Sequence, residues 1–295
     1  MKTPDLGAWF DAYVERVRKR SPFADHSWRS GERFAATDGG LLSASIAYYA
    51  FFASFSMSLL ALAVFGYLLH VPAIYQAVES WLAQNLPIVD IGLLEESRQQ
   101  VGILAVVALI VAGVAWVQAV RNSVRHVWGL ERAPGNPFLR WFIDLGVLAG
   151  LSVLLLLTIA ASAGFHTIVG WLSLDSVIDS PSLLSVLSLA TALITDMVLA
   201  MVMLIALPRM SMSLRRVLPA ALMVAVGLEG LKTIGRLFIS NVSDRPAYQA
   251  VSTAVGLLLF FYLFNFVLLF AAAWTATSRH GQVRDLYNGR FIPNS

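Results

Sequence analysis

Five charged side chains lie inside stretches that are otherwise apolar enough to cross lipid: Asp144, Asp196, Glu229, Lys232 and Arg236. On insertion scales each costs roughly 2.5 to 3.5 kcal/mol at the bilayer centre, so a charge that persists there faces a partner or water. Glu229, Lys232 and Arg236 follow an i, i+3, i+7 spacing, which puts them on one helical face. Asp196 falls about halfway along the preceding apolar stretch, and antiparallel packing would bring it to a similar depth. Two acids and two bases then form a cluster of zero formal charge. The chemistry open to it is reception of a charged headgroup or a proton in a polar cavity. The competing reading is an ion-pair network that only fixes helix packing. Asp144 is set apart. It sits in the first turn of its stretch with Arg140 four residues before it, where the helix dipole favours its charge, and it reads as structural.

A second set of polar side chains adds to the candidate site. Ser45, Tyr48, Tyr49, Phe52 and Ser56 make a mixed aromatic and hydroxyl stripe, and with Asn265 they are candidates for lining a cavity. The plainer role is helix contact for the small hydroxyls and interhelical hydrogen bonding for Asn265 and Gln118. Gly146 and Gly150 form a Gly-x-x-x-Gly close-packing pattern. No stretch has the form of a phosphate loop, a zinc motif or a nucleophile elbow, so neither metal nor cofactor is expected. No nucleophile and base occur at usable spacing, and the chain is read as not an enzyme.

These residues must be held by membrane helices. Of 295 residues 58% are hydrophobic and 13% charged, against roughly a quarter charged in soluble domains. Thirteen of the 39 charges fall in the first 40 residues. A net charge of +3 therefore reflects cytoplasmic loops and is no sign of nucleic-acid binding. There is no cysteine, hence no disulfide or thiolate chemistry. The basic run from Arg16 to Arg20 is followed by polar residues, so no cleavable signal peptide is expected.

Six stretches are long enough to cross about 30 Å of hydrocarbon: roughly Ser43 to Leu69, Ile103 to Val120, Trp141 to Phe165, Leu183 to Leu207, Val217 to Ile239 and Thr253 to Trp274. Ser180 and Pro181 open the fourth, Pro208 closes it, and Pro219 falls in the first turn of the fifth. Residues 134–137, Pro-Gly-Asn-Pro, predict a turn. Lys and Arg counts in the seven flanking segments run 7, 1, 4, 0, 3, 1 and 3. This alternation puts both termini in the cytoplasm. Amphipathic helices are expected at Leu6 to Val17 and at Ile74 to Leu82. The organisation is a cytoplasmic N-terminal segment (residues 1–40), a transmembrane domain (41–276) and a cytoplasmic tail (277–295). The fold class is an all-α, six-helix membrane bundle with both ends inside.

The stretch Ser43 to Leu60, SASIAYYAFFASFSMSLL, resembles the first-span signature of the YihY/BrkB family of bacterial inner-membrane proteins. Val217 to Asn241 resembles the family's Val-Leu-Pro-Gly-Ala span, and Ala247 to Ala276 its final span, so the likeness runs from about Asp38 to Ala276. Two departures matter. Ser56 stands where the family usually has proline, and it can only bond back to the carbonyl four residues earlier and bend the helix mildly. Ala271, Ala272 and Ala273 stand where the span commonly ends Gly-Ala-Glu, so no role for that glutamate carries over. The resemblance implies a six-helix protein of the cytoplasmic (inner) membrane, described as a transporter and, in a YhjD-like branch, linked to export of lipid A precursors. An older label for relatives, a tRNA-processing ribonuclease, has no support in the residues. His26, His70, His126, His166 and His280 fall on different sides of the membrane or in separate segments.

The sequence thus points to a transporter or export factor for a charged amphiphile or lipid precursor, with membrane lipids as partners and a lipid-like substrate. The alternative is a structural or assembly protein whose intramembrane charges only stabilise the bundle. A membrane enzyme ranks last.

Overall fold

The computed structural model describes residues 14–68, 91–132, 136, 138, 140–150, 181–242 and 246–292. Most of the expected third span, the helix at Ile74 to Leu82, and the stripe before Tyr13 lie outside the described residues, as does most of the Pro-Gly-Asn-Pro turn. What remains of that turn behaves as expected of a turn: Asn136 Oδ1 accepts from the Phe138 N–H at 2.9 Å.

Five described helices contain stretches long and apolar enough to span a membrane: Gly39–Met57, Ile103–Val127, Leu189–Ala206, Leu214–Gly235 and Ser252–Thr277. The helices are α1 (Pro22–Ala36), α2 (Gly39–Leu68), α3 (Ile91–Val127), α4 (residues 140–150), α5 (Pro181–Met201), α6 (Leu214–Val242) and α7 (Pro246–Thr277). α1 starts where a sequence reader would start it. Ser21 caps its N-terminus by accepting from Ala24 N–H at 3.3 Å, proline follows in the first turn, and Asp25 complements the dipole. Asp38, at φ 53°, turns the chain into α2. Gly39 is needed there because a Cβ would come within 2.4 Å of the Phe34 ring.

Several boundaries differ from expectation. α3 is one 37-residue helix, so the external loop expected up to Gly102 is helical from Ile91, and the helix runs on past Val120 to Val127. α6 begins at Leu214, which places Pro219 inside the helix instead of in its first turn. Its missing N–H leaves the Arg215 carbonyl without the usual helical bond. α5 passes into a π-helical turn at Val202–Ala206, closed by Leu207 N–H to Val202 O at 2.9 Å, just before Pro208. The close helix approaches are made by Gly113, where a Cβ would meet Leu148 at 2.7 Å, and by Gly227, where it would meet Val267 at 2.9 Å. Gly146 and Gly150 have open space around them among the described residues.

The all-α expectation is corrected to mostly helical. Met210–Ser211 (β1), Val283–Asp285 (β2) and Phe291–Ile292 (β3) form an antiparallel sheet in the order β1-β2-β3, registered by Met210 opposite Asp285 and Val283 opposite Ile292. Short alternating segments carry no helical periodicity and escape a search for spans. The sheet fastens the tail to the loop between α5 and α6.

α2 packs on α3 and α7, α5 on α6, α6 on α7, and α1 lies against α7. The core gathers at one end of the bundle: Val120, Val124 and Val127 of α3, Val217, Ala221 and Val224 of α6, and Ala271 to Ala273 of α7 are buried together. Further along, Leu104 and Val111 of α3, Ile194 of α5 and Val226 of α6 face outward, as lipid-facing side chains do.

Candidate functional site

Lys232 is the centre of an ion triad between α5 and α6. Its Nζ donates to Asp196 Oδ2 at 2.8 Å and to Glu229 Oε1 at 2.9 Å. Glu229 and Lys232 meet because three residues nearly complete a helical turn. Asp196 reaches them from the neighbouring helix. The two carboxyl side chains are 8% and 18% exposed, yet the lysine side chain keeps 40% of its surface open. Arg236 follows on the same helix, and its side chain lies outside the described residues. Three members of the expected cluster are thus brought together.

The hydroxyl stripe separates from that cluster. Ser45 and Tyr49 line a recess of about 280 Å³ between α2 and α3, together with Gln118, Asn122, Ser123 and Arg132. Ser56 is buried and donates to Phe52 O at 2.9 Å, the back-bond expected of a serine at that place. Tyr48 is exposed and stacks edgewise on Tyr49 and Phe52, with ring centroids 5.5 and 4.8 Å away. Asn265 is buried in α7. Its Nδ2 donates to Phe261 O at 2.7 Å, and its Oδ1 has no hydrogen-bond partner among the described residues. Tyr48, Ser56 and Asn265 are not among the residues lining the recess.

Sequence reading missed a layer of arginines at the end where the core lies. Arg121 and Arg125 count as loop residues if α3 ends at Val120, but in the longer helix both are buried. Arg121 holds Asp144 with both guanidinium nitrogens, Nη2 to Oδ2 at 3.0 Å and Nη1 to Oδ1. Asp144, read as structural, is thus held by a buried arginine from another helix, and its own side chain is fully buried. Arg125 grips Asp285 of the tail at 3.1 and 2.9 Å and also donates to Pro208 O and Glu131 O. The signal was present: Arg121 and Arg125 are four residues apart and continue the spacing of Val117, Val120 and Val124.

The remaining arginines satisfy helix ends. The last carbonyls of a helix lack partners, and their partial negative charge favours a cation. Arg33 Nε donates to Val127 O at 2.7 Å, Arg29 to Thr277 O at 3.0 Å, and Arg216 to Thr275 O at 2.7 Å and Ala276 O at 3.3 Å. Arg216 also lies over the Trp128 ring, 5.1 Å from its centroid. A ring nitrogen of His26 is 3.0 Å from Trp274 O.

Asp285 and His26 are among the titrating groups shifted at this end. Burial pushes Asp285 upward, but the Arg125 hydrogen bonds and the Tyr287 N–H outweigh it and hold its carboxyl below the usual range. His26 is held below its ordinary value, first by burial and then by the nearby cations Arg29 and Arg216, against the Trp274 carbonyl.

The family model described as virulence factor BrkB matches residues 30–289. An uncharacterized protein of Dickeya dadantii (strain 3937) is 27% identical over 90% of this chain and 86% of its own length. The inner membrane protein YhjD of Escherichia coli (strain K12) is also 27% identical, over 90% of this chain and 84% of its own. No solved structure matches. Apolar helices of spanning length, and a family match that takes in all of them, converge on one assignment: the chain belongs to the BrkB family and is a multi-pass protein of the bacterial inner membrane.

Proposed function

We propose that the protein moves, or assists in moving, a charged amphiphile such as a lipid precursor across the inner membrane, with the Lys232 triad as the polar station on its route. The observation that carries this reading is the openness of Lys232. Two carboxylates fix its ammonium group, yet the side chain stays half-exposed within an apolar stretch, where a charge kept only for packing would be sealed. A headgroup or proton arriving there meets a cation and two acids in low dielectric. The scaffold reading draws on the same two bonds, which hold α5 to α6 whether or not anything passes.

The proposed topology is six spans with both ends cytoplasmic. Its support is parity. α2 starts, α3 ends, α4 starts, α5 ends, α6 starts and α7 ends in the arginine-capped layer, so each outward run is matched by a return only if the chain also crosses between α4 and α5. Because cysteine is absent, single cysteines on this background and a membrane-impermeant thiol reagent test it. Ser97→Cys and Ser176→Cys should label from outside intact cells, and Ser211→Cys should not. Leu286→Cys, at an exposed position of the tail, should not label either.

Transport itself is tested in proteoliposomes with a fluorescent-headgroup anionic phospholipid and a membrane-impermeant quencher. Wild type should expose both leaflets to the quencher, and Lys232→Met combined with Asp196→Asn should leave the inner leaflet protected. Equal exposure by a folded double variant reduces the triad to a scaffold.

A further inference from the structure

The recess between α2 and α3 is a polar site distinct from the triad, and its lining defines what it accepts. Ser45 and Tyr49 come from one face of α2. Gln118, Asn122 and Ser123 come from one face of the last turns of α3, and Arg132 folds over from beyond that helix end. Among the described lining residues none is acidic and Arg132 is the cation, its Nη2 2.9 Å from a ring nitrogen of His126. Ser45, Tyr49 and Gln118 add hydroxyl and amide groups to the lining.

The volume, about 280 Å³, falls just short of the roughly 300 Å³ at which drug-sized pockets begin, which suits a headgroup and excludes a whole lipid. Ser45, Tyr49 and Gln118 lie within the apolar stretches of their helices, whereas Arg132 lies beyond the end of α3. A molecule with its anion at Arg132 and its tails along the bundle surface would fit that gradient.

We propose that this recess binds a phosphate-bearing, hydroxylated headgroup, with Arg132 taking the phosphate and the Ser45, Tyr49 and Gln118 side chains meeting headgroup hydroxyls. This deepens the transport reading by naming a substrate class at the arginine-capped end, and it rests on that reading only for its role, since binding is measured separately. A lone phosphate is met by Arg132; the hydroxyl and amide side chains ask for polar groups beside it.

The full chain, purified in neutral detergent, is titrated with phosphatidylglycerol and with the matching diacylglycerol and followed by native mass spectrometry. Phosphatidylglycerol should bind saturably and diacylglycerol should not. Arg132→Gln, on an exposed loop where it should not disturb folding, should weaken binding about tenfold or more, as loss of a charge-assisted contact does. Ala119→Leu, which fills the recess without touching charge, should weaken it as well. Glycerol 3-phosphate and inorganic phosphate are competitors. Displacement by glycerol 3-phosphate as effective as by the lipid keeps the headgroup chemistry but overturns a lipid source. Displacement by inorganic phosphate alone overturns the role of the Ser45, Tyr49 and Gln118 side chains. Unchanged lipid binding in both variants overturns the site. The transport reading fails by a different result, an inner leaflet that stays protected from the quencher with the wild-type protein, which leaves these binding outcomes intact.

Discussion

Two groups of intramembrane ions in this protein pair a base with carboxylates in opposite ways. Arg121 and Asp144 have side chains 3% and 0% exposed and meet through both guanidinium nitrogens, a closed pair from which solvent is excluded. Lys232 is held by two acids from two directions and remains 40% open. Arginine has a planar fork that matches a carboxylate edge to edge, which makes it the cation of choice for a sealed pair. A lysine has a compact ammonium on a flexible stem and can release one partner while keeping another. The difference teaches that a charge inside a span is not evidence of function by itself. Its degree of closure separates a sealed pair from a charge that stays within reach of its surroundings.

The largest effect expected is at the sealed pair. Arg121→Met strands a fully buried carboxylate and should cost about 3 to 5 kcal/mol, read as loss of thermal stability or folded yield in detergent. Adding Asp144→Leu should restore most of it. If the single variant melts like wild type, closure does not measure structural weight. Lys232→Met should cost less, about 1 to 2 kcal/mol, because its exposure already lets solvent or headgroups screen the two acids. Asp196→Asn or Glu229→Gln in that background should recover yield, whichever is the dominant partner. Lack of rescue by either would end the claim that this pairing governs folding.

Smaller effects sharpen the contrast at the arginine-capped end. Asp285 is held below its ordinary value near 3.9, so its contribution is complete above that pH and is lost as pH falls through the lower folded value. A dye on Leu286→Cys should therefore report a docked tail at mild acidity and a released one only in strong acid. Asp285→Asn should remove that acid transition. His26 gives the smallest change. Its folded value lies below about 6.5, so its stabilising share is present above 6.5 and fades as pH drops through the folded value. Melting temperature should slip slightly between about pH 7 and 5, and His26→Gln should flatten that slope.

Much of the architecture was readable because lipid imposes simple rules. The apolar stretch of α7 is unmistakable, and the i, i+3 placement of Glu229 and Lys232 follows from helix geometry alone. Ser56 bonds back to Phe52 as its place in a helix requires. Arg125 was harder. A basic residue just past an apolar stretch looks like a cytoplasmic loop, and only the docking of Asp285, 160 residues on, explains why it is buried. The β1-β2-β3 sheet was invisible for the same reason, since strands of two or three residues gain meaning only from their partners.

The sequence by itself determined that the chain lives in lipid, roughly where its apolar stretches lie and which charges must find partners, because unsatisfied polar groups in hydrocarbon cost too much to tolerate. It did not determine which partner each charge takes or how far each is closed off. Those depend on which helices become neighbours, so that Asp144 joins Arg121 of another helix, and Lys232 is left half-open between α5 and α6. That choice belongs to the packing of the whole bundle, in which Gly113 lets α4 approach α3 and Gly227 lets α7 approach α6.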